Sequence, residues 1–203
     1  MRAEVEGTPW PVLRIRFEEE GERVYAHRHS LRAFSEGVSR RVRAPAGGLT
    51  SLLKQSLVML ELRGRPGAEA VLAHPKYHGA IVLVDVEDRA YVAARSVLML
   101  TPGLSYSVRW GLFANRLKFG EFALTEVRGS GAVALAAPAS AYVKKIEEGE
   151  TYYVDNRIFI ALVGRCRTSL TLPSAADVFW TGRYWYVAVQ GPCTAVLAGS
   201  LKR

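Results

Sequence analysis

A chain of 203 residues that is 49% apolar, 23% charged and 10% aromatic is long enough to bury a substantial core and too apolar to remain disordered. Its formal charge of +8 and isoelectric point near 9.7 raise the expectation of a nucleic-acid or other anionic partner without establishing one. No apolar stretch reaches the ~20 residues that cross a bilayer, and residues 1–20 lack the apolar run of a signal peptide, so a cytoplasmic protein without a membrane span is expected. Arginine outnumbers lysine 21 to 6, and asparagine and glutamine number two each. Scarce amides give the composition a thermophile-like cast.

The first predicted strand is Val12 to Phe17, where Leu13, Ile15 and Phe17 share one face and Arg14 and Arg16 the other, the alternation of a half-buried strand. The phrase Gly21-Glu22-Arg23-Val24-Tyr25-Ala26 then reads as a turn and a strand, and Ser30 to Phe34 as another strand. A connection rich in Gly, Pro, Ser and Arg follows over 35–48, and Leu49 to Lys54 is the one candidate for a helical turn. The segment closes with Leu57 to Leu62, Gly64 and the small apolar strand 70–73, read together as a hairpin.

The same succession then recurs. Ile81 to Val86 is apolar on both faces, which predicts a strand covered from both sides between two outer units. Glu87 to Val92 repeats the turn-strand phrase, 96–100 the second strand, and Glu121 to Val127 with Gly129 the closing hairpin. The third copy runs from Tyr142 to Ile146 through Gly149-Glu150-Thr151-Tyr152-Tyr153-Val154 and 158–162 to Tyr184 to Gln190 and Gly191. Thr181-Gly182-Arg183 is expected to turn between 178–180 and 184–187. The turn phrases start 66 and 62 residues apart, and the closing glycines 65 and 62. A period of this length marks one supersecondary unit used three times. The expected fold class is therefore all-β: three repeated β-sandwich-like units, 10–73, 79–137 and 140–198, in a single domain over 1–203 with little or no helix.

The phrases His74-Pro75-Lys76-Tyr77-His78-Gly79-Ala80-Ile81, Gly120-Glu121-Phe122-Ala123-Leu124 leading to Gly129-Ser130-Gly131, and Val154-Asp155-Asn156-Arg157-Ile158 resemble the altered-inheritance-of-mitochondria family of mitochondrial biogenesis proteins and its prokaryotic branch, over essentially the whole chain. The resemblance implies a fold like that of the tryptophan RNA-binding attenuation protein, with units about a pseudo-threefold axis, and no enzymatic activity. The matching positions are mostly glycines and apolar residues, so they specify a fold rather than a reaction.

Site candidates concentrate in the first unit. Arg28, Arg32, Arg40, Arg41 and Arg43 form the densest basic segment, and guanidinium groups suit phosphate oxygens. Glu18, Glu19, Glu20 and Glu22 lie close enough in sequence to neutralise it. Trp180 and Arg183 sit in an aromatic hairpin that can stack bases, although alternation buries at least one of its faces. All four histidines, His27, His29, His74 and His78, form a weak metal candidate without a carboxylate or cysteine at ligand spacing. Surface or hydrogen-bonding histidines are the preferred reading, and neither metal nor cofactor is expected. Cys166 and Cys193 read as buried thiols in a reducing compartment, with a bridge as the alternative. No phosphate-binding loop or nucleophile elbow occurs. The leading expectation is a non-enzymatic binding or assembly module whose partner is itself or another protein. RNA or single-stranded nucleic-acid binding and a metal-dependent enzyme are the alternatives.

Overall fold

The computed structural model describes residues 1–43, 58–110, 123–171 and 186–199. These residues form β-strands and two single 3-10 turns, Ala94–Ser96 and Asn156–Ile158. Before the first predicted strand lies β1 (Arg2–Glu6), which the sequence did not announce. It pairs with β2 (Val12–Arg16), and β3 (Arg23–His27), β4 (Leu31–Phe34), β5 (Val38–Arg43), β6 (Met59–Gly64) and β7 (Glu69–Leu72) follow. Next come β8 (Ala80–Val86), β9 (Arg89–Ala93), β10 (Val97–Leu100), β11 (Leu104–Trp110), β12 (Ala123–Gly129) and β13 (Gly131–Ala137). The last six are β14 (Ala141–Ile146), β15 (Thr151–Val154), β16 (Phe159–Gly164), β17 (Arg167–Thr171), β18 (Tyr186–Gln190) and β19 (Cys193–Ala198). The helical turn expected at 49–54 and the turn at 181–183 lie outside the described residues.

Four antiparallel sheets result. Sheet 1 has the order β1-β2-β7-β4, sheet 2 β5-β6-β3-β10-β13-β8, sheet 3 β11-β12-β9-β16-β19-β14, and sheet 4 β15-β18-β17. In sheet 2 the triplet β10-β13-β8 holds strands six places later than β4-β7-β2 of sheet 1, and β16-β19-β14 stands six places later again. The triplets β5-β6-β3, β11-β12-β9 and β17-β18-β15 correspond in the same way.

Alternation on these strands fills three cores between successive sheets. Leu13, Ile15, Phe17 and Leu72 of sheet 1 meet Val24, Leu62, Leu98 and Met99 of sheet 2. The opposite face of sheet 2, through Tyr25, Val97, Leu100 and Leu135, meets Val92, Val127, Ala161 and Val196 of sheet 3. Leu162 and Leu197 of sheet 3 then meet Val154, Val187 and Val189 of sheet 4. Burying a Leu- or Val-sized side chain contributes about 1.5–3 kcal/mol, so these three cores hold the layers together.

Three sequence expectations need correction. Burial on both faces belongs to β10, whose four residues are all buried, whereas β8 is the edge of sheet 2 with Leu83 39% exposed. Its unbroken apolar run reflects contact with two cores, Val84 against one and Ile81 against another. The glycine phrases are not hairpins either: β6 and β7, β12 and β13, and β18 and β19 lie in different sheets. The chain crosses there from one layer to the next, and Gly129 does so at φ 118°, a backbone conformation that a side chain disfavours. Third, Cys166 and Cys193 are bonded, with Cα atoms 5.3 Å apart, because the start of β19 and the end of the β16–β17 connection converge. Two separate thiols are thereby overturned.

Candidate functional site

The turn between β3 and β4 carries the chain from sheet 2 to sheet 1 and gathers the first basic residues. Ser30 closes it, donating its N–H (2.9 Å) and its hydroxyl (2.7 Å) to the His27 carbonyl while fully buried. Arg28 and His29 are pushed outward on this turn, and Arg32 is exposed on β4. Among the described side chains of β5 only Val38 reaches the core. Arg40 shares its face and lies over the Phe34 ring at 4.3 Å, a cation–π contact between the two sheets. Arg41 points the other way, opposite Glu61 on β6. Arg43 stands in one cross-strand row with Met59 and His27, two strand spacings or about 10 Å from the latter.

Several arginines elsewhere on the sheets are paired: Arg16 with Glu69, Arg63 with Glu61, Arg128 with Glu126 and Arg157 with Asp155. Among the described residues no carboxylate lies within ion-pair distance of Arg28, Arg32, Arg40 or Arg41. The nearby glutamates do not neutralise them. Glu22, for example, accepts the backbone N–H groups of Glu18 and Glu19 at 2.7 and 3.2 Å. Arg28 and Arg32 therefore flank the histidines, Arg40 and Arg41 lie along β5, and Trp180 and Arg183 fall outside the described residues.

The histidines divide into two groups. His74 is 5% exposed, its Nδ1 accepts the N–H groups of Lys76 (3.2 Å) and Tyr77 (2.8 Å), and its Nε2 donates to the Arg95 carbonyl at 2.7 Å. Both nitrogens are thus occupied in holding the 73–79 connection against the chain before β10. The ring stacks on Tyr77 at 4.6 Å and lies 6.4 Å from half-buried His27. His27 in turn is 5.8 Å from His29, whereas His78 packs edge-on against Trp10 at 5.3 Å. Among the described residues no three metal-ligating side chains converge. Burial, then the neighbouring His74, His29 and Arg28, pushes the His27 imidazole down to about 4. Burial also lowers His74 to about 4, against its bond to Arg95, with His78, Arg32 and Lys76 adding to the fall. Both rings are neutral at pH 7, so the positive charge of this surface belongs to the arginines and Lys76.

Two clefts escaped the sequence reading. One, of about 740 Å³, opens between Gly21, Glu36, Ser39, Arg63 and Arg65. The other, of about 630 Å³, opens between Gly149, Thr151, Arg165, Arg167 and Gln190. Each lies beside a copy of the turn-strand phrase, which was the available signal, but their wall residues are far apart in the chain.

With this geometry in view, comparison with known proteins is informative about ancestry. The sequence profile of the family described as mitochondrial biogenesis AIM24 matches residues 3–200. Among curated proteins none is significantly similar in sequence. The crystal structure of protein SPYM3_0169 from Streptococcus pyogenes is similar over 98% of this chain and 94% of its own, with a TM-score of 0.73 and 17% identity. A likeness at that identity speaks for the fold alone.

Proposed function

The chain belongs to the AIM24 mitochondrial biogenesis family, and from that membership we propose that it is a non-enzymatic binding and assembly module that acts in the cytoplasm as a homo-oligomer. The observation that carries this reading is apolar surface left at strand positions: Val42, Tyr142, Val143 and Tyr153 are 64, 52, 49 and 60% exposed. These side chains lie on β5, β14 and β15, each an edge strand of its sheet, and exposed edge strands are surfaces that partner strands cover. The recurrence of one strand order at intervals of six supports a single domain of three β-sandwich-like units, 10–73, 79–137 and 140–198, in a pseudo-threefold arrangement akin to the tryptophan RNA-binding attenuation protein. Light scattering across a concentration series tests the assembly: masses above one 22.4 kDa chain are expected, and a single-chain mass at every concentration rejects it.

A second reading is favoured by one observation, the exposed arginines for which no carboxylate partner occurs among the described residues. Arg28, Arg32, Arg40 and Arg41 suit the phosphates of RNA or single-stranded DNA. Each phosphate neutralised adds about −0.7 to the slope of log K against log salt for single strands. Changing Arg40 and Arg41 to Ala is expected to flatten that slope, and salt-independent binding by the wild type would end the reading.

A further inference from the structure

Among the described residues, two strands lack a neighbour that their counterparts have. β10 lies between β13 and β3, and β16 between β19 and β9, whereas β4 has only β7. β3 lies between β6 and β10, and β9 between β12 and β16, whereas β15 has only β18. The two internal junctions therefore join a strand of the β4 kind to a strand of the β15 kind, and one open edge of each kind is left over.

The open edges match residue by residue. Opposite its last-strand neighbour, Phe34 faces Ala70, Leu100 faces Val133 and Leu162 faces Ala195. Each of these strands carries the same irregularity, between Leu31 and Ala33, Val97 and Met99, and Phe159 and Ala161. At the junctions Leu100 pairs with Tyr25 and Leu162 with Tyr91, while Met99 pairs with Ala26 and Ala161 with Val92. Carrying this register to the free edges sets Phe34 opposite Tyr153 and Ala33 opposite Val154. Leu100 and Leu162 are 0 and 2% exposed and Tyr25 is 3% exposed, but Phe34 is 42% and Tyr153 60% exposed. At the second junction Tyr91 is half-buried, so the internal junctions bury Leu100, Leu162 and Tyr25 and partly cover Tyr91, whereas the open edges leave Phe34 and Tyr153 exposed to solvent.

Resting on the assembly reading above, we infer that β15 of one copy pairs antiparallel with β4 of a second copy, in the register Phe34 to Tyr153. The joined sheet has the order β17-β18-β15-β4-β7-β2-β1, which is the order of sheets 2 and 3 with β1 added at its edge. The second copy supplies the strand because within one chain β4 and β15 belong to separate sheets, the first and the last. Both surfaces are present on every chain and differ from one another. The contact is thus head-to-tail and produces a ring when the rotation closes, or a filament when it does not. Arg40, lying over Phe34, would border this seam.

Full-length chains carrying Phe34→Cys with Tyr153→Cys, oxidised mildly and run without reductant, are expected to form a ladder of covalent multimers. Phe34→Cys with Thr151→Cys displaces one thiol by two residues, about 7 Å, and should give little ladder. Independently, Phe34→Lys and Tyr153→Lys, both at exposed positions and checked for native circular dichroism, are each expected to weaken assembly at least tenfold in light scattering. Equal ladders from both cysteine pairs, or an intrachain link alone, would overturn the register. Assembly that persists in both lysine variants would overturn the edge contact while leaving the assembly reading in place. A wild type that stays a single chain throughout removes both.

Discussion

Position 64 shows how narrowly a single residue is determined. A Cβ there would lie 2.0 Å from the Phe17 ring, and Phe17 is among the largest fully buried side chains. Gly64→Ala must displace that ring and is expected to cost about 1–3 kcal/mol, typical of overpacking, measured as a lower urea midpoint. His27 and His74 set a different dependence. Their folded-state values near 4 lie below the ordinary 6.5, so between these two values the unfolded chain binds more protons. Their contribution is fully present above about pH 6.5 and declines as the pH falls toward 4. Glu22, Glu69 and Glu150, held below the ordinary carboxylate value, add losses only from about 4.5 downward. Urea midpoints taken from pH 7 to 5 should therefore fall with acidification, and His27→Gln should show a shallower fall. Midpoints constant over that range would contradict the buried, neutral imidazoles.

Among the elements, β19 is tied to the connection entering β17 by Cys166 and Cys193, which are 27 residues apart. Closing a loop of that length removes unfolded-state entropy worth about 3.5 kcal/mol. Reduction, or Cys166→Ser with Cys193→Ser, is expected to lower the thermal midpoint, and an unchanged midpoint would show the bond to be energetically idle. The elements were legible in the sequence to different degrees for physical reasons. Alternation is local, so the strand Leu13-Arg14-Ile15-Arg16-Phe17 and the three turn-strand phrases were readable as they stand. Sheet membership is not local: Leu60 to Gly64 and Ala70 to Leu72 look like two arms of a hairpin, yet they pack as opposite layers with Leu62 and Leu72 in one core. The pairing of two cysteines likewise depends on where separate strands end. At the candidate site the arginine-rich segment was visible as composition. Which arginines form ion pairs, and the use of both His74 nitrogens by backbone groups, required the surroundings. β1 was missed although Arg2 to Glu6 alternates charged with apolar residues, because Ala3 and Val5 offer little apolar surface, Val5 stays 41% exposed, and the strand takes its order from pairing with β2.

For the molecule as a whole, four sheets with three cores between them account for stability, and the edges of the first and last sheets are where the proposed association would take place. Among the described residues, sheets 2 and 3 each close a junction that sheets 1 and 4 leave open, so the first and last sheets present the two kinds of edge that this junction joins. Charge belongs to the same picture: Arg28, Arg32 and Arg40, none within ion-pair distance of a carboxylate among the described residues, lie on or near β4, and their effect on a polyanion should weaken with salt. The most direct measurement is light scattering of the untagged full chain over a concentration series, beside Phe34→Lys and Tyr153→Lys. Multiples of 22.4 kDa are expected for the wild type, with a shift toward one chain in either variant. A wild type that remains a single chain at every concentration would contradict the proposed assembly.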